Sequence, residues 1–169
     1  LTFYEGHGFD PDPVNFTVDT KAILPPDIRL IDSGISSDTN DDGKITRGET
    51  AELTIRIQNK GQGLAHDVGV QIEGDKSNNM FLAPGYESNF DLGTISSGDY
   101  EDITVGLVTN NRTKEKSTIK LFITESRPEF NKEEKVEINT IDNYCSENAI
   151  DHIHLLKIDI EGHELDALA

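Results

Sequence analysis

The sequence is poor in the features that staple or anchor a protein. Cys145 is the single cysteine among 169 residues. One cysteine cannot form an internal disulfide, so cross-links within the chain are excluded. The sequence also lacks a run of about 18 apolar residues, the length that crosses a bilayer, which excludes a transmembrane helix. No signal peptide is visible, and the chain starts at Leu1 rather than Met, so we expect a cut, a processed end or a partial reading frame.

Basic residues are scarce as well. The chain has 15 Lys and Arg residues against 32 Asp and Glu residues, for a net charge of −17. Nucleic-acid binding needs clustered cations that neutralise phosphates, so we expect no nucleic-acid partner. Anionic membrane surfaces are disfavoured for the same reason. An excess of carboxylates suits a protein that holds divalent cations or stays soluble at high salt.

One acidic stretch has a specific pattern. Residues 38–49 read DTNDDGKITRGE and match the calcium-loop pattern D-x-[DN]-x-[DN]-G-x5-E at every specified position. Ca2+ is a hard cation that takes six to eight oxygen ligands, so such a loop wraps around it. The sequence therefore predicts a Ca2+ site with the following ligands: Asp38, Asn40, Asp42, Lys44 through its backbone carbonyl, Thr46 and Glu49.

The neighbouring residues refine this prediction. Gly43 would allow the sharp turn at the sixth loop position, and Ile45 would pin the loop to the core. The flanking segments 27–32 and 51–57 alternate like strands, so a helix–loop–helix arrangement is disfavoured. We therefore expect a structural clamp between two strands rather than a sensor that swings helices apart. The alternative is an acidic, glycine-containing turn, which is common in a chain this acidic.

Apolar residues alternate with polar ones in short segments up to about residue 140. We expect strands at about 27–32 and 50–58, followed by strands at 68–72, 80–82, 90–92, 103–107, 119–123 and 136–138. Seven or eight short alternating strands with turns between them are typical of an immunoglobulin-like antiparallel β-sandwich. The fold is thus predicted to be mainly β, with residues 26–140 forming this sandwich and carrying the calcium loop.

Residues 1–25 are predicted to form a hairpin or arm followed by a proline linker that ends in Leu24-Pro25-Pro26. The arm resembles the end of the sandwich at these paired positions: Glu5 with Glu125, Phe9 with Phe130, Phe16 with Val136, Val18 with Ile138 and Thr20 with Thr140. Three interpretations follow. The arm is the last hairpin of a preceding repeat, or it pairs with a sheet edge in its own chain or a neighbour's, or the likeness is accidental.

Three further segments carry a resemblance to a known family. Residues 42–49, 53–61 and 92–98 read DGKITRGE, LTIRIQNKG and LGTISSG. Together they resemble the CARDB-like, immunoglobulin-type domains of bacterial surface and multidomain proteins, over roughly residues 1–140. The resemblance implies a β-sandwich that acts in adhesion, spacing or recognition. A fold of this kind does not by itself give a function.

The pattern changes after Thr140 to a short α-β-α segment. Residues 141–148 are predicted to form a short helix, 153–160 a buried strand, and 161–168 the start of another helix. The strings TIDNYC at 140–145 and IHLLKIDIEGHEL at 153–165 resemble the FkbM-type methyltransferases. That resemblance implies an S-adenosylmethionine-dependent, Rossmann-like domain, in which Asp159 and Glu161 would lie at the carboxyl end of a central strand.

The segment departs from that family's pattern. The glycine-rich strand–turn–helix that would hold the cofactor is missing upstream, so we expect residues 141–169 to be a truncated methyltransferase segment without a cofactor pocket. A metal site built from the acidic and histidine side chains of this region is disfavoured against a solvated surface. Its candidate members are His152, His154, Asp159, Glu161 and His163.

These observations favour a non-catalytic protein. Cys145 has no evident catalytic partner in the sequence, and there is no phosphate-binding loop. The leading hypothesis is a calcium-stabilised interaction or spacer module of a larger or repetitive, bacterial-type cell-surface or extracellular protein. Its partner would be a protein, a glycan or a second copy engaged through the N-terminal arm. The alternatives are an accessory domain and fragment of an S-adenosylmethionine-dependent methyltransferase, and a self-assembling filament subunit.

Overall fold

A computed structural model describes residues 2, 4, 6–9 and 11–153. These residues form eight β-strands, one α-helix and two short 3-10 turns. The strands are β1 (Ile28–Asp38), β2 (Thr50–Asn59), β3 (Ala65–Glu73), β4 (Met80–Leu82), β5 (Asn89–Ile95), β6 (Tyr100–Thr109), β7 (Ser117–Thr124) and β8 (Lys132–Ile138). The helix is α1 (Ile141–Glu147), and the 3-10 turns are Lys76–Asn78 and Pro128–Phe130. The predicted mainly β fold is confirmed.

The strands make two antiparallel four-stranded sheets. The first has the order β1-β2-β6-β4, and the second has the order β5-β3-β7-β8. The edge strands β1 and β8 carry charged residues and the edge strand β4 has three residues, features that discourage pairing with other chains. On one side the edges β1 and β8 are joined across the sandwich by ion pairs, Arg29 with Glu134 at 3.7 Å and Lys132 with Asp27.

The core lies between the two sheets because alternate side chains of a strand point to opposite faces. In β2 the inward residues Ala51, Leu53, Ile55 and Ile57 are buried, as the alternation predicted. Leu53, Ile55 and Ile57 join one hydrophobic cluster with inward residues of β3, β6 and β7. Burial of this apolar surface, at about 25 cal/mol per Å2, provides the main stabilisation in a chain without disulfides.

β1 is longer than predicted. It continues past Asp32 to Asp38, the first position of the calcium-loop pattern, and stays paired with β2 throughout. Two register shifts, between Leu30 and Asp32 and between Ile35 and Ser37, accommodate the irregular sequence. The intervening residues include glycine and serine, which favour strands poorly. Pairing with the well-formed β2 overrides that weak local preference.

The N-terminal arm contains no strand in its described part. Residues 11–27 have neither helix nor strand, so the hairpin expected over residues 1–20 is not seen in the described part of that range. The linker is nevertheless fixed at its end, because the carbonyl of Pro25 accepts hydrogen bonds from Gln62 N and Gly63 N, both at 3.1 Å. Gly63 allows this approach, since an added Cβ would lie 1.8 Å from the carbonyl oxygen of Leu24.

Asn59 joins the linker to the sandwich. It is 0% exposed, and its Oδ1 accepts from Asp27 N at 3.1 Å and Gly61 N at 3.0 Å. Its Nδ2 donates to the carbonyls of Gly63 at 2.8 Å and Ile95 at 3.0 Å. All the hydrogen-bonding groups of this buried amide are therefore used at the end of the sandwich opposite the calcium loop.

The predicted helix after Thr140 is confirmed as α1. It begins with a threonine cap, in which Thr140 Oγ1 accepts from Asn143 N at 3.1 Å. The strand expected over 153–160, apart from Ile153, and the helix expected after it lie outside the described residues. No helix in the described part of the chain is long and apolar enough to span a membrane.

Changing Asn59 to Ala tests the role of the buried amide. Removing it leaves two N–H donors and two carbonyls without their partner, so we expect a loss of about 2–4 kcal/mol in the free energy of unfolding. Gln58→Ala is the matched control, because Gln58 lies on the solvent side of β2 and donates a single bond to Gly98. Urea denaturation measures both variants, and equal stabilities for the two would contradict this role.

Candidate metal site

The calcium-loop pattern connects β1 to β2. Asp38 ends β1 and Thr50 begins β2, so the loop joins two paired strands, as the alternating flanks predicted. Thr39 Oγ1 closes the base of the loop by donating to Thr50 O at 2.9 Å and accepting from Thr50 N at 3.1 Å. Ile45 packs against the hydrophobic core in its predicted role.

The loop is wound around the carboxylate of Asp38. Asp38 Oδ1 accepts from Asn40 N at 3.1 Å and Asp42 N at 3.2 Å, and Oδ2 accepts from Gly43 N at 2.8 Å. Burial raises the pKa of Asp38, but hydrogen bonds from the loop's backbone N–H groups outweigh it and hold the pKa below its usual value. The turn requires a left-handed backbone, with φ of +60° at Asp41 and +70° at Gly43.

Asn40 and Asp42 contact each other in this conformation. Asn40 Nδ2 donates to Asp42 Oδ2 at 2.9 Å, and Asp42 Oδ1 accepts from Lys44 N at 2.9 Å. Both carboxylate oxygens of Asp42 therefore accept hydrogen bonds from within the loop. The contacts bring the third and fifth loop positions together with the backbone of the seventh.

Glu49 closes the loop from a buried position. Glu49 is 8% exposed, and its carboxylate accepts a hydrogen bond from the N–H of Thr46. Burial raises the pKa of Glu49 above its usual value, the hydrogen bond from Thr46 opposes this, and the carboxylates of Asp42 and Asp38 raise it further. A buried carboxylate beside two others is unfavourable unless a cation or a proton compensates it.

Thr109 in β6 holds the end of the loop and was missed by the sequence analysis. Its Oγ1 accepts from Gly48 N and Glu49 N, both at 3.1 Å, and donates to Thr46 O at 2.5 Å. In the sequence, a threonine that holds a loop looks the same as any other threonine in a strand. Only the pairing of β2 with β6, which places Thr50 opposite Val108, brings it to the loop.

The chemistry of the loop's donors fits Ca2+, because every predicted ligand atom is an oxygen. Within the described residues, however, no three or more His, Cys, Asp or Glu side chains form a group that could hold a metal ion in this conformation. Filling the loop would thus require the carboxylates to exchange some of their present hydrogen bonds for metal contacts. Four of the C-terminal candidates, His154, Asp159, Glu161 and His163, lie outside the described residues.

The outward face of the first sheet carries a second ordered cluster. Arg56 makes two hydrogen bonds to Asp102, at 2.7 and 2.6 Å, and its guanidinium stacks 4.1 Å from the ring centre of Tyr100. Tyr86 lies against Gly106 and donates to Glu52 Oε1 at 2.5 Å. The two tyrosine rings are thus held in place while remaining partly exposed.

One family model matches most of the chain. The family model described as "Methyltransferase FkbM domain" matches residues 36–169, well over half of the chain. The match begins far upstream of the segment at about 140–169 that carried the resemblance in the sequence, and it runs across the sandwich from the end of β1. No curated protein matches the chain.

Solved structures resemble the sandwich at low sequence identity. A FixG-related protein from Vibrio parahaemolyticus is 16% identical, with 64% of this chain and 97% of that one covered and a TM-score of 0.37. A CARDB domain from Pyrococcus furiosus, solved in complex with di-metal ions, is 12% identical, with 75% and 98% covered and a TM-score of 0.41. The sporulation control protein Spo0M from Bacillus subtilis is 13% identical, with 73% and 55% covered and a TM-score of 0.39.

The electrostatics of Glu49 give a prediction for the metal-free protein. A carboxyl whose pKa is raised by folding holds its proton more tightly in the folded state, so stability falls as the pH rises from 4.5 through the raised pKa. In EDTA at pH 7, Glu49→Gln is therefore expected to be as stable as the wild-type chain or more stable. Near pH 4 the advantage should disappear, because wild-type Glu49 is then protonated.

Urea denaturation in EDTA at the two pH values measures this effect. Glu101→Gln serves as the control, since it removes the same charge from an exposed position in β6. A Glu49→Gln variant that is clearly less stable than wild type at pH 7 in EDTA would contradict the electrostatic description of the loop.

Proposed function

Since this chain belongs to the family of methyltransferase FkbM domains, we propose that residues 28–138 are a non-catalytic β-sandwich module of such a protein, stabilised by Ca2+ in the loop 38–49. The residues that the family resemblance places at the carboxyl end of a central strand, Asp159 and Glu161, come after the sandwich. Any methyl-transfer chemistry would therefore depend on the segment that follows β8, with the sandwich serving in stabilisation and interaction.

One observation carries the calcium part of the proposal: a loop that matches the calcium pattern at every specified position joins two paired strands and buries its closing glutamate. Carboxylate, amide, hydroxyl and carbonyl oxygens are the ligands that Ca2+ prefers. The ion would compensate the repulsion among Glu49, Asp38 and Asp42, which otherwise has only hydrogen bonds to oppose it. The residues that would hold it are those predicted from the sequence: Asp38, Asn40, Asp42, Lys44, Thr46 and Glu49.

The bound ion would act as a staple between β1 and β2. A ligand that binds only the folded state stabilises it by RT ln(1 + [L]/Kd), about 2.7 kcal/mol at a hundredfold excess over Kd. Calcium sites in extracellular modules have Kd values of about 0.1–1 mM, which extracellular calcium fills. An extracellular or cell-surface location is part of the proposal for this reason. The staple would take the place of the disulfides that the sequence cannot form.

The partner proposed for the module is a protein or a glycan that contacts the outward face of the first sheet. Tyr100 is 50% exposed, and Arg56 holds its ring while pairing with Asp102. Tyrosine and arginine held in fixed positions are the residues that dominate binding energy at many interfaces. Their rigidity lowers the entropy lost on binding.

Self-association through the N-terminal arm is the other contact that we propose. Phe16 and Val18 are 68% and 67% exposed, and they alternate with polar residues in a segment that has neither helix nor strand. Such a segment has the pattern of a strand that adds to a sheet edge of a neighbouring copy. Assembly into a filament would be the extreme form of this contact.

Thermal unfolding tests the calcium site. In about 10 mM CaCl2 the wild-type chain is expected to melt roughly 5–10 °C higher than in EDTA, because the ion binds the folded loop. Glu49→Gln should lose this rise, since the closing carboxylate becomes a neutral amide.

MgCl2 at the same concentration is the control for ionic strength, because Mg2+ is smaller and fits a flexible oxygen loop poorly. An equal rise with both salts, or an unchanged rise in Glu49→Gln, would mean that Ca2+ acts on the acidic surface as a whole. The loop would then be an acidic turn, and the calcium and extracellular parts of the proposal would be withdrawn.

A second candidate function is supported by the extent of the family match, which covers residues 36–169. In that case the protein is an S-adenosylmethionine-dependent methyltransferase and the sandwich is its accessory domain. Equilibrium dialysis with labelled S-adenosylmethionine tests this second candidate. Saturable binding that Asp159→Asn abolishes would favour the enzyme. The non-catalytic proposal predicts no binding up to about 1 mM in either form of the chain, with unlabelled competitor as the control for non-specific uptake.

A further inference from the structure

The calcium loop and helix α1 form opposite walls of one open groove. Arg47 lines it from the loop, Asn143 and Glu147 line it from α1, and Lys114, Glu115 and Lys116 form its floor. The loop precedes β2 and the helix follows β8, so the fold brings together two segments that lie far apart in the sequence. The groove stands at the point where the chain leaves the sandwich.

The loop is joined by a direct hydrogen bond to Thr113, the residue that precedes the floor of the groove. Arg47 Nε donates to Thr113 O at 2.9 Å, across 66 positions in the sequence. Thr113 is itself buried, and its Oγ1 donates to Asn79 O at 2.7 Å and accepts from Asn110 N at 2.9 Å. Arg47 thereby joins the loop to the turn between β6 and β7.

The floor is joined to the helix by Lys116. Its Nζ donates to Glu147 Oε2 at 3.2 Å and lies 3.7 Å from Glu137 Oε2 at the end of β8. The helix has only seven residues, which is too short to be stable in isolation. Its order depends on the Thr140 cap and on contacts of this kind.

From these contacts we propose that metal binding in the loop orders α1 through Arg47 and the turn between β6 and β7. Calcium would then control the junction between the sandwich and the segment that follows it, in addition to stapling β1 to β2. The inference rests on the proposed calcium site and deepens it. Arg47 is suited to this role because it occupies the tenth loop position, which contributes no ligand in the pattern.

Hydrogen exchange of the backbone amides tests the inference, with the full chain in EDTA and in about 10 mM CaCl2. In the wild-type chain, Ca2+ is expected to slow exchange in residues 141–148 about fivefold or more. Arg47→Ala should keep the calcium-dependent rise in melting temperature but lose the slowing in the helix. Arg112→Ala is the matched control, because Arg112 is an exposed cation on the same turn and its side chain is not part of the groove lining.

The outcomes separate the inference from the calcium site on which it rests. If Ca2+ raises the melting temperature but leaves exchange in α1 unchanged, the coupling is overturned and the calcium-stabilised module stands. If Arg47→Ala still shows the slowing, the route through Arg47 is overturned. If Ca2+ changes neither the melting temperature nor exchange in residues 38–49, both the site and the coupling are overturned.

Discussion

Burial of the Glu49 carboxylate beside Asp38 and Asp42 is the electrostatic constraint on which one end of the molecule depends. These three carboxylates, together with Asp41, lie in a single short loop of a chain whose net charge is −17. Backbone N–H groups satisfy Asp38 and Asp42, while Glu49 has the N–H of Thr46 and a raised pKa. A cation that favours oxygen would relieve the repulsion and hold β1 to β2 at once.

The two ends of the sandwich are fixed by different chemistry. At one end the neutral amide of Asn59 joins the linker, the turn after β2 and the strand β5. At the other end the loop is held by Thr109 and Arg47, which join it to β6 and to the turn before β7. The arm therefore leaves from the end held by Asn59, and α1 leaves from the end that carries the loop 38–49.

The alternation of apolar residues was enough to locate all eight strands, because each strand buries one face in the same core. The extension of β1 to Asp38 could not be predicted, since the residues after Asp32 gain strand structure only from pairing with β2. Val14, Phe16 and Val18 alternate with polar residues equally well, yet residues 11–27 contain no strand. Alternation gives a segment one apolar face, but a strand also needs a neighbouring strand to pair with. The calcium ligands could be named from spacing alone, whereas Thr109 and Lys116 reach the site only through long-range pairing of strands.

The family match and the methyltransferase-like motif cover different extents of the chain. The family match includes most of the sandwich, and the motif that resembles the methyltransferases lies after it. Fold alone does not decide function, so the role of the sandwich depends on its loop and on its outward face.

The most direct test of the calcium loop is a titration of the isotope-labelled, metal-free chain with Ca2+, followed by amide chemical shifts in two-dimensional NMR spectra. A specific site predicts one saturable set of large shifts in residues 38–49, with Gly43 among them because its N–H bonds to Asp38. Smaller shifts should follow in the loop's contacts at Thr109 and Thr113. Small, non-saturating shifts spread over the acidic surface would contradict the site and leave residues 38–49 as an acidic turn.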